Sequence, residues 1–184
     1  MSEKIYLSAN DYLHDVWRLA AKIKASGWKP DLLIALWRGG APVGIGVHEF
    51  FKVAGWKINH LPLKCTSYTG IEKNEGDIVF TGLDPILAEI KTVRRVLVVD
   101  DVFDTGRTVA AMHRLLDGFP IEVRYACVYW KPSKNVTPYK PDYYEADKDH
   151  TWIVFPHECE GLTPEEIKTK DGLLASLLKD GTGA

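Results

Sequence analysis

Val96-Leu-Val-Val-Asp-Asp-Val-Phe-Asp-Thr-Gly-Arg-Thr108 decides how the rest of the chain reads. Arg95–Asp100 is a short apolar run that suits a strand buried on both faces. It delivers Asp100 and Asp101 to its carboxyl end, where open parallel sheets bind ligands. Two adjacent carboxylates there can accept hydrogen bonds from vicinal hydroxyls or help hold a divalent cation. Asp104-Thr-Gly-Arg-Thr108 then leads into a helix predicted over Thr108–Leu116. Gly106 permits a tight turn, free amides point outward at the helix start, and Thr105 and Thr108 add hydroxyls. Such a cradle suits a phosphate monoester. One loop thus pairs a diol reader with a phosphate site, and a ribose 5-phosphate group satisfies both.

Working outward, Asp31–Leu36 is another buried strand, followed by Trp37-Arg38-Gly39-Gly40 and a helix over Ala41–Val53. Upstream, Ser8 caps a helix that carries Leu13, Val16, Trp17, Ala20 and Ile23 at helical spacing and ends at Gly27. Lys57–Lys64 reads as a strand, although Pro62 makes it a poor central one. Residues 65–82 read as a long loop with room for a short hairpin, and Asp84–Ile90 as a short helix. Ile121–Tyr129 is the last clear strand. Thr163 and Glu166 form a capping box for a late helix, and residues 181–184 are expected to fray. Strands alternating with helices imply right-handed crossovers and an α/β fold. The expected architecture is a single domain with an open, mostly parallel sheet flanked by helices.

Composition sets the limits. The 184 residues are 46% hydrophobic and 26% charged, as in an ordinary globular protein. A net charge of −2 and a pI near 6.3 argue against a chain-wide attraction to nucleic acid or anionic lipid. Cys65, Cys127 and Cys159 are widely spaced, without zinc-type pairing, and read as reduced thiols of a cytoplasmic protein. The opening residues carry no signal-peptide pattern, and no apolar run is long enough to cross a bilayer.

Residues 96–108 resemble the phosphoribosyl-pyrophosphate motif of the type I phosphoribosyltransferases, and the resemblance extends from the first helix through Phe155. Trp37–Gly40 is similar to the family's pyrophosphate loop, which often carries a non-proline cis peptide, here Trp37–Arg38. Ser67-Tyr68 resembles the flap of the purine branch, which closes over the transferred group and excludes water. Lys131 after the last core strand, and Trp152-Ile153 further on, are placed as in bacterial xanthine-guanine and hypoxanthine enzymes.

The resemblance implies a type I phosphoribosyltransferase fold with a core over about residues 1–130 and a base-binding hood and tail over about 131–184. It also implies a purine-salvage transferase joining a 6-oxopurine (guanine, xanthine or hypoxanthine) to phosphoribosyl pyrophosphate with magnesium. Arg38, Gly39 and Gly40 would hold pyrophosphate, Asp100 and Asp101 the ribose hydroxyls, and Thr105, Gly106, Arg107 and Thr108 the 5′-phosphate. Asp104 would take the purine N7 proton. Lys131 would donate to the 6-oxo group, with Trp152 and Ile153 against the ring. Asp101 and Glu158 are the candidate metal ligands, and a homodimer or homotetramer is implied. The rival readings are an orotate-type pyrimidine enzyme and a regulator that binds phosphoribosyl pyrophosphate without turnover. The acidic balance counts against the regulator.

Overall fold

The computed structural model describes residues 4–67 and 78–180. In chain order the first elements are β1 (Lys4–Tyr6), α1 (Ala9–Ala25), β2 (Leu32–Trp37), α2 (Gly40–Val53), β3 (Asn59–Ser67), β4 (Ile78–Thr81) and α3 (Asp84–Ile90). There follow β5 (Arg95–Phe103), α4 (Arg107–Leu116), β6 (Glu122–Trp130), a 3-10 turn (Pro132–Lys134), β7 (Tyr143–Asp147), β8 (Trp152–Val154), α5 (Pro164–Lys170) and α6 (Gly172–Asp180). The result is an α/β chain whose main sheet is parallel except at one edge. Among the described residues, no helix is long and apolar enough to cross a membrane.

Contacts divide the chain into two compact units. The larger, residues 13–150, holds a six-stranded sheet in the order β4-β3-β2-β5-β6-β7. All its pairs are parallel except β3–β4. The inner strands are buried on both faces, so β2 and β5 are continuous apolar runs. Leu32, Ile34, Val96, Val98 and Tyr125 pack on one face with Ile86 and Ile90 of α3 and Val109, Met112 and Leu116 of α4. On the other face α2 lies so close that a Cβ on Gly44 would sit 2.5 Å from the Ala35 Cβ. Gly46 meets Val16 of α1 in the same way.

Several sequence expectations change. Within the stretch 65–82, the short hairpin that the sequence left room for is present as an antiparallel pair, Lys64–Ser67 against Ile78–Thr81, so the pairing reaches further than a plain loop would. Pro62 does sit in an inner strand, opposite Ala35 of β2. It is tolerated because β4 pairs only with Lys64–Ser67, leaving no ladder on the outer edge at Pro62 to break. The segment after Lys131 is not all hood: β7 runs parallel to β6 and completes the large sheet. The smaller unit begins at Thr151 and includes the residues up to Tyr12.

In that smaller unit β1 pairs in parallel with β8, Lys4 opposite Trp152. Lys4 pairs with Glu166, and its ammonium lies 4.8 Å from the Trp152 ring centre. Glu166 also closes the expected capping box with Thr163 at the start of α5. Tyr12 packs edge-on against Phe155.

Candidate active site

The site forms where β2, β5 and β6 of the larger unit end. β5 is long because its apolar run continues past the acidic pair to Val102 and Phe103, both in register with β6. Asp100 Oδ1 accepts from the Asp101 amide at 3.0 Å, and Asp101 Oδ1 from the Val102 amide at 2.7 Å. Burial pushes the Asp100 carboxyl well above the usual carboxylate range, and the neighbouring Asp101 charge adds to the shift. One of the adjacent acids is thereby held back from ionising freely.

Two glycines bring the upstream loop against this pair. A Cβ on Gly39 would land on the Asp101 carboxylate, and one on Gly40 would lie 2.5 Å from the Val99 carbonyl oxygen. Any larger residue would force the loop off the strand end, so the spacing of Arg38-Gly-Gly is set by packing. Arg38 follows a cis peptide from Trp37. Trp37–Gly40 and Asp100–Asp101 therefore form one locus, although about 60 residues separate them.

The following loop takes its shape from Gly106, which has φ +78° at the start of α4. A Cβ there would collide with the Thr137 hydroxyl and lie 2.6 Å from Asn135 Oδ1. Asn135 Oδ1 accepts from the Thr137 amide at 3.0 Å, and Val136 N–H donates to the Thr105 carbonyl at 3.0 Å. The segment after β6 thus braces the loop from behind. A cavity of about 90 Å³ runs inward here, walled by Asp100, Asp104, Thr105, Gly106 and Thr108 and floored by Tyr125 and Cys127. Desolvation pushes the nearby Cys65 thiol up to about 11, so it stays protonated at neutral pH.

Asp104 is flanked by two ammonium groups. Lys131 Nζ and Lys134 Nζ each lie 3.6 Å from its Oδ2, while Oδ1 is buried without a hydrogen-bond partner. Lys131 is 7% exposed, an uncommon position for a lysine, and its amide donates to the Phe103 carbonyl at 2.9 Å. The arrangement places a carboxylate acceptor beside a desolvated cation, next to the loop that starts α4.

The structure thus brings together Arg38, Gly39, Gly40, Asp100, Asp101, Asp104, Thr105, Gly106, Thr108 and Lys131 at one end of the large sheet. Arg107 opens α4 and is exposed. Trp152, 47% exposed, and the buried Ile153 lie on β8 of the smaller unit. Glu158, also in that unit, is half-buried, and its carbonyl accepts from Lys170 Nζ. Among the described residues, no group of three or more His, Cys, Asp or Glu could hold a metal ion. Ser67 ends β3, and Tyr68 lies outside the described residues.

Lys134, Asn135 and Thr137 escaped the sequence reading. The spacing Lys131-Pro-Ser-Lys134 marks a turn that returns the second lysine beside the first, and this signal could have found Lys134. Asn135 and Thr137 carry no comparable signal, since an Asn-Val-Thr loop is ordinary until Gly106 is known to need backing.

Comparison with known proteins agrees with this geometry. A hypoxanthine-guanine phosphoribosyltransferase of Lactococcus lactis subsp. lactis (strain IL1403) is 25% identical over 145 residues, spanning 77% of this chain and 74% of that one. The crystal structure of a purine phosphoribosyltransferase from Pyrococcus horikoshii OT3 superposes with a TM-score of 0.68 at 29% identity, covering 87% and 97% of the two chains. A hypothetical protein from Neisseria gonorrhoeae, solved with bound ppGpp, shares the fold with a TM-score of 0.76 at 21% identity over 94% and 98%. The family model for the phosphoribosyl transferase domain matches residues 4–162. With an acidic pair at the end of β5, a glycine-tight loop against it and a family match over most of its length, the chain belongs to the phosphoribosyltransferase family.

Proposed function

We propose that the chain transfers ribose 5-phosphate from phosphoribosyl pyrophosphate to a 6-oxopurine, giving a nucleoside 5′-monophosphate and pyrophosphate. The observation that carries this reading is the pairing of Asp104 with the buried Lys131 at 3.6 Å. A 6-oxopurine presents its exocyclic oxygen and N7 side by side on one edge. An ammonium beside a carboxylate matches that edge when N7 carries the proton. The names of the L. lactis and P. horikoshii relatives point the same way.

The reaction forms a bond from purine N9 to the anomeric carbon as the bond to pyrophosphate breaks. In this reading Asp104 accepts the N7 proton as general base, and Lys131 holds the 6-oxo group. Asp100 and Asp101 hold the ribose hydroxyls, and the loop from Thr105 to Thr108 holds the 5′-phosphate with Arg107 at its rim. Arg38 and the Gly39 and Gly40 amides hold the leaving pyrophosphate. Catalysis then rests on orientation and on charge placed before the reaction begins.

The hard oxygen donors of the acidic pair, with few other protein ligands nearby, fit a magnesium ion held chiefly by substrate oxygens. When bound it offsets charge on the leaving pyrophosphate, with Asp101 as its protein donor.

A panel of bases assayed with phosphoribosyl pyrophosphate and magnesium tests the reading. Turnover is expected with at least one of guanine, xanthine and hypoxanthine, and essentially none with adenine or orotate. Adenine would set an amino group against the Lys131 ammonium, a mismatch worth about 10⁴-fold in discrimination. Lys131→Ala should weaken use of the oxo base and leave affinity for phosphoribosyl pyrophosphate almost unchanged. Efficient adenine or orotate turnover overturns the base assignment, and binding without turnover of any base returns the sensor reading.

A further inference from the structure

Asp104 has two cationic neighbours, and the proposed reaction uses only one. Lys131 Nζ and Lys134 Nζ lie at the same distance, 3.6 Å, from the same oxygen, Oδ2. Their surroundings differ: the Lys131 side chain is 9% exposed and that of Lys134 is 51% exposed. Among the described residues, Lys134 has no other ion pair.

The turn that carries Lys134 is held at several points. Its amide donates to the Lys131 carbonyl at 3.2 Å, and the Asn135 amide to the Pro132 carbonyl at 3.3 Å. Ser133 donates through its hydroxyl to Asp149 Oδ1 at 2.8 Å and through its amide to the same carboxylate at 3.2 Å. Lys131 at the start of the turn and Val136 beyond it are bonded to the carbonyls of Phe103 and Thr105, which flank Asp104. The lysine backbone is therefore fixed relative to the acid, and only side-chain rotation can exchange partners.

That arrangement has a consequence when a base arrives. One ammonium cannot hold both a base carbonyl and a carboxylate at full strength. As Lys131 turns toward the exocyclic oxygen, Asp104 loses one of its two positive neighbours. We infer that Lys134 is a positioning residue for the transfer reaction: it keeps the Asp104 carboxylate anchored through Oδ2 after Lys131 has been given over to the base. The inference rests on the general-base reading of Asp104 made above. Lys134 touches neither the base nor the sugar in this scheme and acts only through the carboxylate.

The test compares native protein, Lys134→Met, Lys134→Arg, Asp104→Asn and the double variant Lys134→Met/Asp104→Asn. Steady-state assays would use the oxopurine that the native protein prefers. Lys134→Met should lower kcat about three- to tenfold, the modest effect of a half-exposed charge, with KM for phosphoribosyl pyrophosphate unchanged. Lys134→Arg should recover most of the loss. The decisive arm is the double variant, which should be no slower than Asp104→Asn alone, because the lysine has no carboxylate left to hold. An equal loss from Lys134→Met in both backgrounds overturns the inference. So does a raised KM for phosphoribosyl pyrophosphate at constant kcat, which would place Lys134 on the substrate's phosphates. So does native kcat in the methionine variant. Absence of turnover by the native protein with all three oxopurines defeats the 6-oxopurine reading itself, and this inference with it. That outcome is distinct because it is read before any variant is made. The exposure of Lys134 makes misfolding of its variants easy to exclude by thermal midpoint.

Discussion

The two ends of the large sheet handle charge in opposite ways. At the amino end Asp31, Asp142 and Glu122 each have a matched donor. Asp31 Oδ2 accepts from the Arg94 and Arg95 amides at 3.0 and 2.9 Å, closing the entry to β5. Asp142 Oδ2 accepts from the Tyr125 amide at 2.8 Å at the entry to β7. Glu122 pairs with Arg124 at 2.9 Å, and the nearby Trp28 indole and the Arg124 guanidinium hold its carboxyl below the ordinary range. At the carboxyl end, Asp100 and Asp101 are adjacent and repel, Asp104 Oδ1 has no donor, and a lysine is buried. The same strands carry both ends, so the difference lies in the use of each. Acids at the amino end stop strands and satisfy amides. Those at the carboxyl end carry burial and repulsion at a cost in stability, and in the proposed reaction they meet a ligand's hydroxyls and protons.

The largest break in this contrast should come from Asp104→Asn. Turnover should fall about 10²- to 10⁴-fold, the range for a lost acid–base group, while the thermal midpoint and affinity for phosphoribosyl pyrophosphate stay near native. Rapid-quench measurements on the purified variant check this, and near-native kcat would remove the residue from proton transfer.

Gly106→Val comes next. Its φ of +78° excludes a branched residue, and the new side chain would displace Thr137 and Asn135. Calorimetry should show phosphoribosyl pyrophosphate and the nucleotide product both weakened by at least about tenfold. If both affinities are retained in folded protein, the phosphate binds elsewhere.

Asp100→Asn sharpens the comparison through stability. The folded-state pKa of Asp100 is raised, so the folded protein binds its proton more tightly than the unfolded chain does. Its contribution is therefore most favourable below about pH 4 and is lost as pH rises from there toward the folded value. The asparagine variant lacks that loss. Its unfolding free energy should match native near pH 4 and exceed it increasingly toward neutrality, by on the order of 1–2 kcal/mol, while ribose binding weakens; denaturant titration at each pH reads this. A gap that narrows with rising pH would mean that Asp100 is stabilised as an anion.

The smallest effect is expected at the opposite end. Asp31→Ala removes the acceptor of two amides at an exposed site and should cost about 0.5–1 kcal/mol in urea denaturation with kcat unchanged. A loss of activity without loss of stability would show that the two ends are not independent.

What the sequence revealed follows the range of the forces involved. β2, β5 and the turn into α4 were legible because continuous apolar runs and Asp-Thr-Gly spacing act locally. The juxtaposition of Gly39 with Asp101 could be reached only through resemblance, since nothing local says that the loops meet. β1 and β7 were missed because Lys-Ile-Tyr and Tyr-Tyr-Glu-Ala-Asp have little strand character alone. Each is ordered by a partner strand supplied from elsewhere in the chain. Lys134 was missed for a related reason: a lysine after Pro-Ser reads as solvated until the turn is seen to return it to Asp104.

The pairing of β1 with β8 fixes an order of events during synthesis. β1 is synthesised before the larger unit, and its partner β8 after it. The larger unit has its entire sequence available before Trp152 emerges, so it can fold while β1 is still unpaired. Closing so long a loop is entropically unfavourable from an extended chain and easier once the intervening residues have condensed. The larger unit, with the strand ends that carry Asp100 to Thr108, should therefore form first. The β1–β8 pair forms after it, and a chain stopped short of Trp152 lacks that pair.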